Sequence, residues 1–155
     1  AAPDSLAQRF TSYVMAGQSS GTPQPNEFRI GPFTSGEVRS ESAELESIAA
    51  SGSEQLQWAP GTGGEGVALR GGTLVFAHVS ETTTEHRGQV GSTQSYFVQD
   101  NQRMNWGGLL APGDYSSLVI VGTYTFAFVV PRHGLPDAIA ESDTTTVCAG
   151  SLVTS

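Results

Sequence analysis

His78, Glu81, Glu85 and His86, in the run HVSETTTEH, form the one group in this 155-residue chain with metal-ligand chemistry. Imidazole nitrogens and carboxylate oxygens this close in sequence can meet at a divalent ion if a strand and a turn bring them together. The spacing matches no zinc pattern. A His-Glu-x-x-His site needs a helix, and Thr82, Thr83 and Thr84 are β-branched residues that oppose one. The run is therefore read as a polar loop, and no metal site is expected.

Other catalytic constellations are equally short of partners. Serine is abundant but no Gly-x-Ser-x-Gly elbow occurs, so any Ser/His/Asp triad would be an arbitrary choice. Cys148 stands between Val147 and Ala149 without a nucleophile's local signature and reads as a small buried hydrophobe. As the single cysteine, it has no intrachain partner for a disulfide. His133, in PRHGLPD, has no partner that the sequence can locate. Any two of the fifteen acids could be nominated as a glycosidase pair, so none is. The glycines of 61–66 lack a following Gly-Lys-Ser/Thr, and no basic residue follows them until Arg70, which argues against a phosphate loop. No catalytic residue and no cofactor are expected, and the chain is read as a non-enzyme.

Aromatic residues offer recognition chemistry instead. Trp58 and Trp106 sit beside Gly/Pro-rich turns, in QWAPGTGG and NWGGLLAPGDY, with Tyr115 ending the second. Such rings either plug the end of a β core or form a recognition surface that stacks on a sugar or anchors a protein. Trp58, Trp106 and Tyr115 are the candidate recognition residues.

Composition narrows the partners. The chain has no lysine and seven arginines against fifteen acids, a formal charge of −8 and a pI near 4.6. A surface that tracks phosphates needs clustered cations, so direct nucleic-acid binding is not expected, nor is attraction to an anionic membrane. The longest apolar run, 118–130, is interrupted by Gly122, Thr123, Tyr124 and Thr125, and membrane insertion is not expected. Asn26, Asn101 and Asn105 lack the Asn-x-Ser/Thr pattern of N-glycosylation.

The elements that must carry these residues are mostly strands. Leu6, Phe10, Tyr13 and Val14 share one helical face, with Asp4 or Ser5 as its cap and Gly17 as its stop. The run QSSGTPQPN at 18–26 has linker composition, so 1–26 is read as an arm or short helix plus linker, and 27–155 as a single β domain. Residues 40–52 fit a short acidic helix capped by Ser40, or a pair of irregular strands, with the glutamates on a solvated face. Strand patterns follow at 67–69, 73–79, 95–99, 115–130 and 146–153, and Gly122 marks a bulge, a bend or a switch between sheets. The fold class is all-β, an antiparallel β-sandwich or jelly-roll-like barrel with one or two short helices.

The stretch LLAPGDYSSLVIVGTYTFAFVVPR, within 107–132, resembles the Pro-Gly turn and long closing strand near the end of jelly-roll coat proteins of small icosahedral viruses. The Ser/Thr/Gly/Gln-rich, lysine-free texture is similar to their protruding domains. The resemblance implies a structural virion protein at the virion surface, a capsid or spike domain acting in assembly and host attachment. It would self-associate into a homo-oligomer or capsid and meet a glycan or protein receptor. The first 24 residues hold only Arg9, unlike a basic RNA-packaging arm. The alternative is an extracellular carbohydrate-binding module from a high-GC microbe, with Trp58, Trp106 and Tyr115 as stacking platforms.

Overall fold

A computed structural model describes residues 2–49, 52–87, 96–98, 111 and 113–152. Helix α1 spans Pro3–Gly17, and its buried residues Leu6, Phe10, Tyr13 and Val14 are those of the predicted face. Pro3 opens it, where a missing N–H costs nothing. Neither Asp4 nor Ser5 is the cap: Ala2 holds that position with extended backbone, and Ser5 Oγ donates to the Ala2 carbonyl at 2.9 Å. At the other end Gly17 allows a close crossing, because a Cβ there would come within 2.5 Å of Val38 Cγ1.

Val38 belongs to α2, Ser35–Ala49. Of the two readings of 40–52 the helix is the one formed, and it begins five residues before Ser40. Gly52 does not terminate it but opens strand β1, Gly52–Pro60.

Five further strands follow: β2 Glu65–Leu69, β3 Gly72–Arg87, β4 Tyr96–Val98, β5 Gly113–Pro131 and β6 Asp137–Leu152. All join one antiparallel sheet. One edge of β3 takes β1 and β2, its other edge takes β5, and the far edge of β5 takes β6 and β4. The run HVSETTTEH is not a loop. It lies within β3, where every residue from Gly72 to His86 pairs with β5 in unbroken register, and threonine suits such a doubly paired strand.

Gly122 is not itself bulged. It stays in register with Glu81, and the slip lies in β6, where Val121 pairs Val147 and Gly122 pairs Thr145, leaving Thr146 over. The Thr146 hydroxyl donates to the Val121 carbonyl at 3.2 Å.

The architecture is thus β-rich with two helices, as expected, and among the described residues the layer packed on the sheet is helical. The helix at 3–17 shares one core with the strands: Phe10 meets Phe28, Trp58, Phe126 and Phe128, above Val75, Ala77 and Val79.

Candidate cation-binding site

Strand alternation and register assign the side chains to faces. On the helix-covered face, Val75, Ala77 and Val79 of β3 lie opposite Phe128, Phe126 and Tyr124 of β5. Further along β3 the same face carries Glu81, Thr83 and Glu85, flanked by Trp58, Leu56 and Glu54 of β1. β6 adds Glu141 and Asp143, paired with Phe126 and Tyr124. Over this acidic half lies α2, whose Glu37, Glu41 and Glu44, at i, i+4 and i+7, point one way.

Between helix and sheet is a cleft of about 380 Å³ lined by six carboxylates, those of Glu37, Glu41, Glu44, Glu81, Glu141 and Asp143, with Ser40, Thr83 and Tyr124. Neither arginine nor histidine lines it among the described residues. Glu41 and Glu81 are 4% and 8% exposed. Trp58 Nε1 donates to Glu41 Oε2 at 3.1 Å, and the Tyr124 hydroxyl donates to Glu81 Oε2 at 2.8 Å. The two donor rings lie 5.2 Å apart, so the apolar core ends in a pair of hydrogen bonds to carboxylates.

Burial and mutual repulsion set the protonation of this group. Burial, then the Glu81 charge, pushes Glu41 up to about 8 despite the Trp58 hydrogen bond. Burial, then Glu141 and Glu81, pushes Glu37 up to about 7. Glu81 is also raised by burial, although the Tyr124 hydrogen bond opposes the shift. The Tyr124 hydroxyl is held far above its ordinary range by burial and by Glu81.

A tighter trio adjoins the cleft through Glu44. Carboxylate oxygens of Glu44, Glu54 and Glu85 lie within 4.8 Å of one another. Both oxygens of Glu54 and Oε2 of Glu85 are shielded from solvent with no hydrogen-bond partner. Oxygen facing oxygen is a hydrogen bond only when one side carries a proton, and burial, then Glu44 and Glu85, pushes Glu54 up to about 8. Together cleft and trio hold eight of the fifteen acids.

Comparison with protein-family models, with curated proteins and with solved structures gives no match.

The residues singled out by sequence lie elsewhere or play other parts. Trp58, 6% exposed, is a core ring and a hydrogen-bond donor to Glu41, with no face for a sugar. Tyr115 is also buried, its hydroxyl donating to the Ala111 carbonyl at 2.8 Å. Trp106 lies outside the described residues. His78 and His86 project from the opposite face of β3 to Glu81 and Glu85, because an odd separation in a strand reverses the side. His78 Nδ1 instead meets Thr125 Oγ1, its register partner, at 2.9 Å. Cys148 stands opposite Ile120 in β6, and His133 is in the loop between β5 and β6. Of the acids of 37–54, read as a solvated face, Glu37, Glu41 and Glu44 line the cleft, Glu54 joins the trio, and Glu46 is exposed. The available signal was Glu81 and Glu85 spaced for one strand face together with Glu37, Glu41 and Glu44 spaced for one helix face.

Proposed function

We propose that this chain is a non-enzymatic binding domain for a hard divalent cation, held by Glu44, Glu54 and Glu85 and attracted by the carboxylates of the adjoining cleft. The observation that carries this reading is the convergence of three carboxylates, those of Glu44, Glu54 and Glu85, within 4.8 Å of one another, with both oxygens of Glu54 and one of Glu85 shielded from solvent. Oxygens bound to one Ca²⁺ at about 2.4 Å can be no more than about 4.8 Å apart, a condition these three carboxylates meet. An all-oxygen, triply negative donor set favours Ca²⁺, Mg²⁺ or Mn²⁺ over softer metals. The cation would take the place of the proton that Glu54 holds near neutral pH, so binding would release protons.

Calorimetric titration of metal-stripped protein with Ca²⁺ and Mg²⁺, in buffers of different ionisation enthalpy at pH 7, tests this. Saturable binding with net proton release is expected, lost in Glu54→Gln and Glu85→Gln. Absence of saturable binding by Ca²⁺ or Mg²⁺ up to about 10 mM, above the weak extracellular range, would refute it.

Self-assembly, expected from the coat-protein resemblance, is the second reading and has its own supporting observation. On the outer face, Ser53, Gln55 and Gln57 of β1, Ser80, Thr82 and Thr84 of β3, Val119, Val121, Thr123 and Thr125 of β5, and Ser142 and Thr144 of β6 form an uncharged tract, with Glu65 of β2, paired with Phe76, as an acid of the same face beyond it. Two copies could join these uncharged tracts face to face despite a charge of −8 each, a sandwich between chains where the sequence reading expected one within the chain. A capsid or spike assembly is the larger form of the same contact. Light scattering across a dilution series decides it: a dimer or closed oligomer supports this reading, and a monomer at every concentration removes it.

A further inference from the structure

A second cavity has the opposite chemistry. It measures about 560 Å³ and opens between the end of α1, the 23–30 segment and the first turns of α2. Its walls are Tyr13, Pro23, Pro25, Phe28, Ile30 and Leu135, and its charged groups are Arg29 and Arg39. In a chain whose net charge is −8, two of the seven arginines meet at one apolar cavity.

Neither arginine is used up by the fold. Arg29 is 73% exposed and touches Asp137 only at 3.8 Å, too far for a strong pair. Arg39 Nη2 donates to Ser35 Oγ at 3.0 Å and makes no ion pair among the described residues. It lies near enough to the Tyr13 hydroxyl to oppose the upward shift that burial causes there. The wall that carries Arg29 is fixed: its N–H donates to the Pro136 carbonyl at 2.8 Å, and its own carbonyl accepts the Thr34 hydroxyl at 2.5 Å. Phe28 is held under Arg9, which is bound in turn to the Glu27 carboxylate at 2.7 Å. Ile30, 83% exposed, stands at the rim as apolar surface that an occupant would cover.

We infer that this cavity binds a small amphipathic carboxylate, with an aryl or alkyl body against Pro25, Ile30 and Leu135 and its carboxylate between Arg29 and Arg39. The volume is that of a small-molecule site with a preformed apolar wall and few polar groups. The guanidinium fork matches a planar carboxylate, and a single negative charge suffers less than a phosphate dianion from the repulsion of an acidic protein. The site is on the other side of α2 from the carboxylate cleft and stands independently of the cation reading.

Amide ¹H–¹⁵N shifts recorded while titrating 3-phenylpropionate and octanoate, against their primary amides, test it. Both carboxylates should give saturable shifts centred on residues 13, 28–30 and 39, with the amides at least about tenfold weaker. Arg29→Gln, at an exposed side chain that leaves the fold intact, and Arg39→Gln should each weaken carboxylate binding about tenfold at an unchanged thermal midpoint. Equal binding of acids and amides, shifts centred elsewhere, undiminished binding in Arg29→Gln, or no saturable shift up to about 10 mM would each overturn the inference.

Discussion

The helix-covered face of this sheet has two halves built by the same strands and filled in opposite ways. From Val75 to Val79, β3 meets Phe126, Phe128 and α1, and the interior is an aromatic cluster around Phe10. From Glu81 to Glu85 the same strand meets Glu54 and lies under α2, and the interior is carboxylate. The first half is what folding requires, since apolar area leaves water. The second half opposes folding, because burying like charges costs free energy that protonation only partly relieves. A fold that tolerates such a half does so because the apolar half stabilises it, and the acids keep a field that a cation can use.

The largest effect should come from Phe10→Ala, which empties the centre of the apolar half. Unfolding by urea should show a loss of about 3–5 kcal/mol. A loss under about 1 kcal/mol would mean that α1 is not part of the sheet's core.

In the acidic half stability should fall as pH rises. Glu37 at about 7, and Glu41 and Glu54 at about 8, all lie above the ordinary value of 4.5. The native state therefore binds more protons than the unfolded chain between these limits, and stability present below about 4.5 is lost as pH rises through 7 to 8. Thermal midpoints in metal-free buffer should fall by roughly 5 °C from pH 5 to pH 9. Glu41→Gln keeps an oxygen for Trp58 and removes the charge, so it should gain about 1 kcal/mol at pH 9 and nothing measurable at pH 5. Parallel pH profiles for variant and wild type would break the contrast between the halves.

The smallest effect belongs to their boundary. Gly122 has no positive φ, so a side chain there meets no backbone strain. A Cβ would lie 3.0 Å from Tyr124 Cε2, and the ring that carries the Glu81 hydrogen bond would have to shift slightly. Gly122→Ala should cost about 1 kcal/mol or less, measured by urea unfolding, and a cost above about 3 kcal/mol would show that this ring joins the halves rigidly.

Much of the frame was legible. The spacing of Leu6, Phe10, Tyr13 and Val14 set out α1, and the apolar runs marked the first half of β3 and nearly all of β5. The length of β3 was not, because its polar half shows no apolar alternation: a strand whose inner face carries Glu81, Thr83 and Glu85 looks like a loop until β1 and β5 are seen on either side. The cleft was hidden for the same reason. Glutamates on a helix are ordinarily solvated, and nothing local tells that the covered side of α2 is the acidic one. The aromatic residues misled in the opposite direction, since a tryptophan beside Pro60 and Gly61 can face in or out, and Trp58 faces in.

What the sequence determined by itself was local: strand-forming runs, one amphipathic helix, an excess of carboxylates and no lysine, because propensity, periodicity and charge are properties of neighbouring residues. What only the tertiary structure decided was where the charge went. Residues 37–44, 54, 81–85 and 141–143 are far apart in the chain, and only the register of β1, β3, β5 and β6 under α2 brings their carboxylates into the cleft and the trio beside it. The direction in which a strand residue faces is fixed by its pairing, and pairing is not written in any single segment.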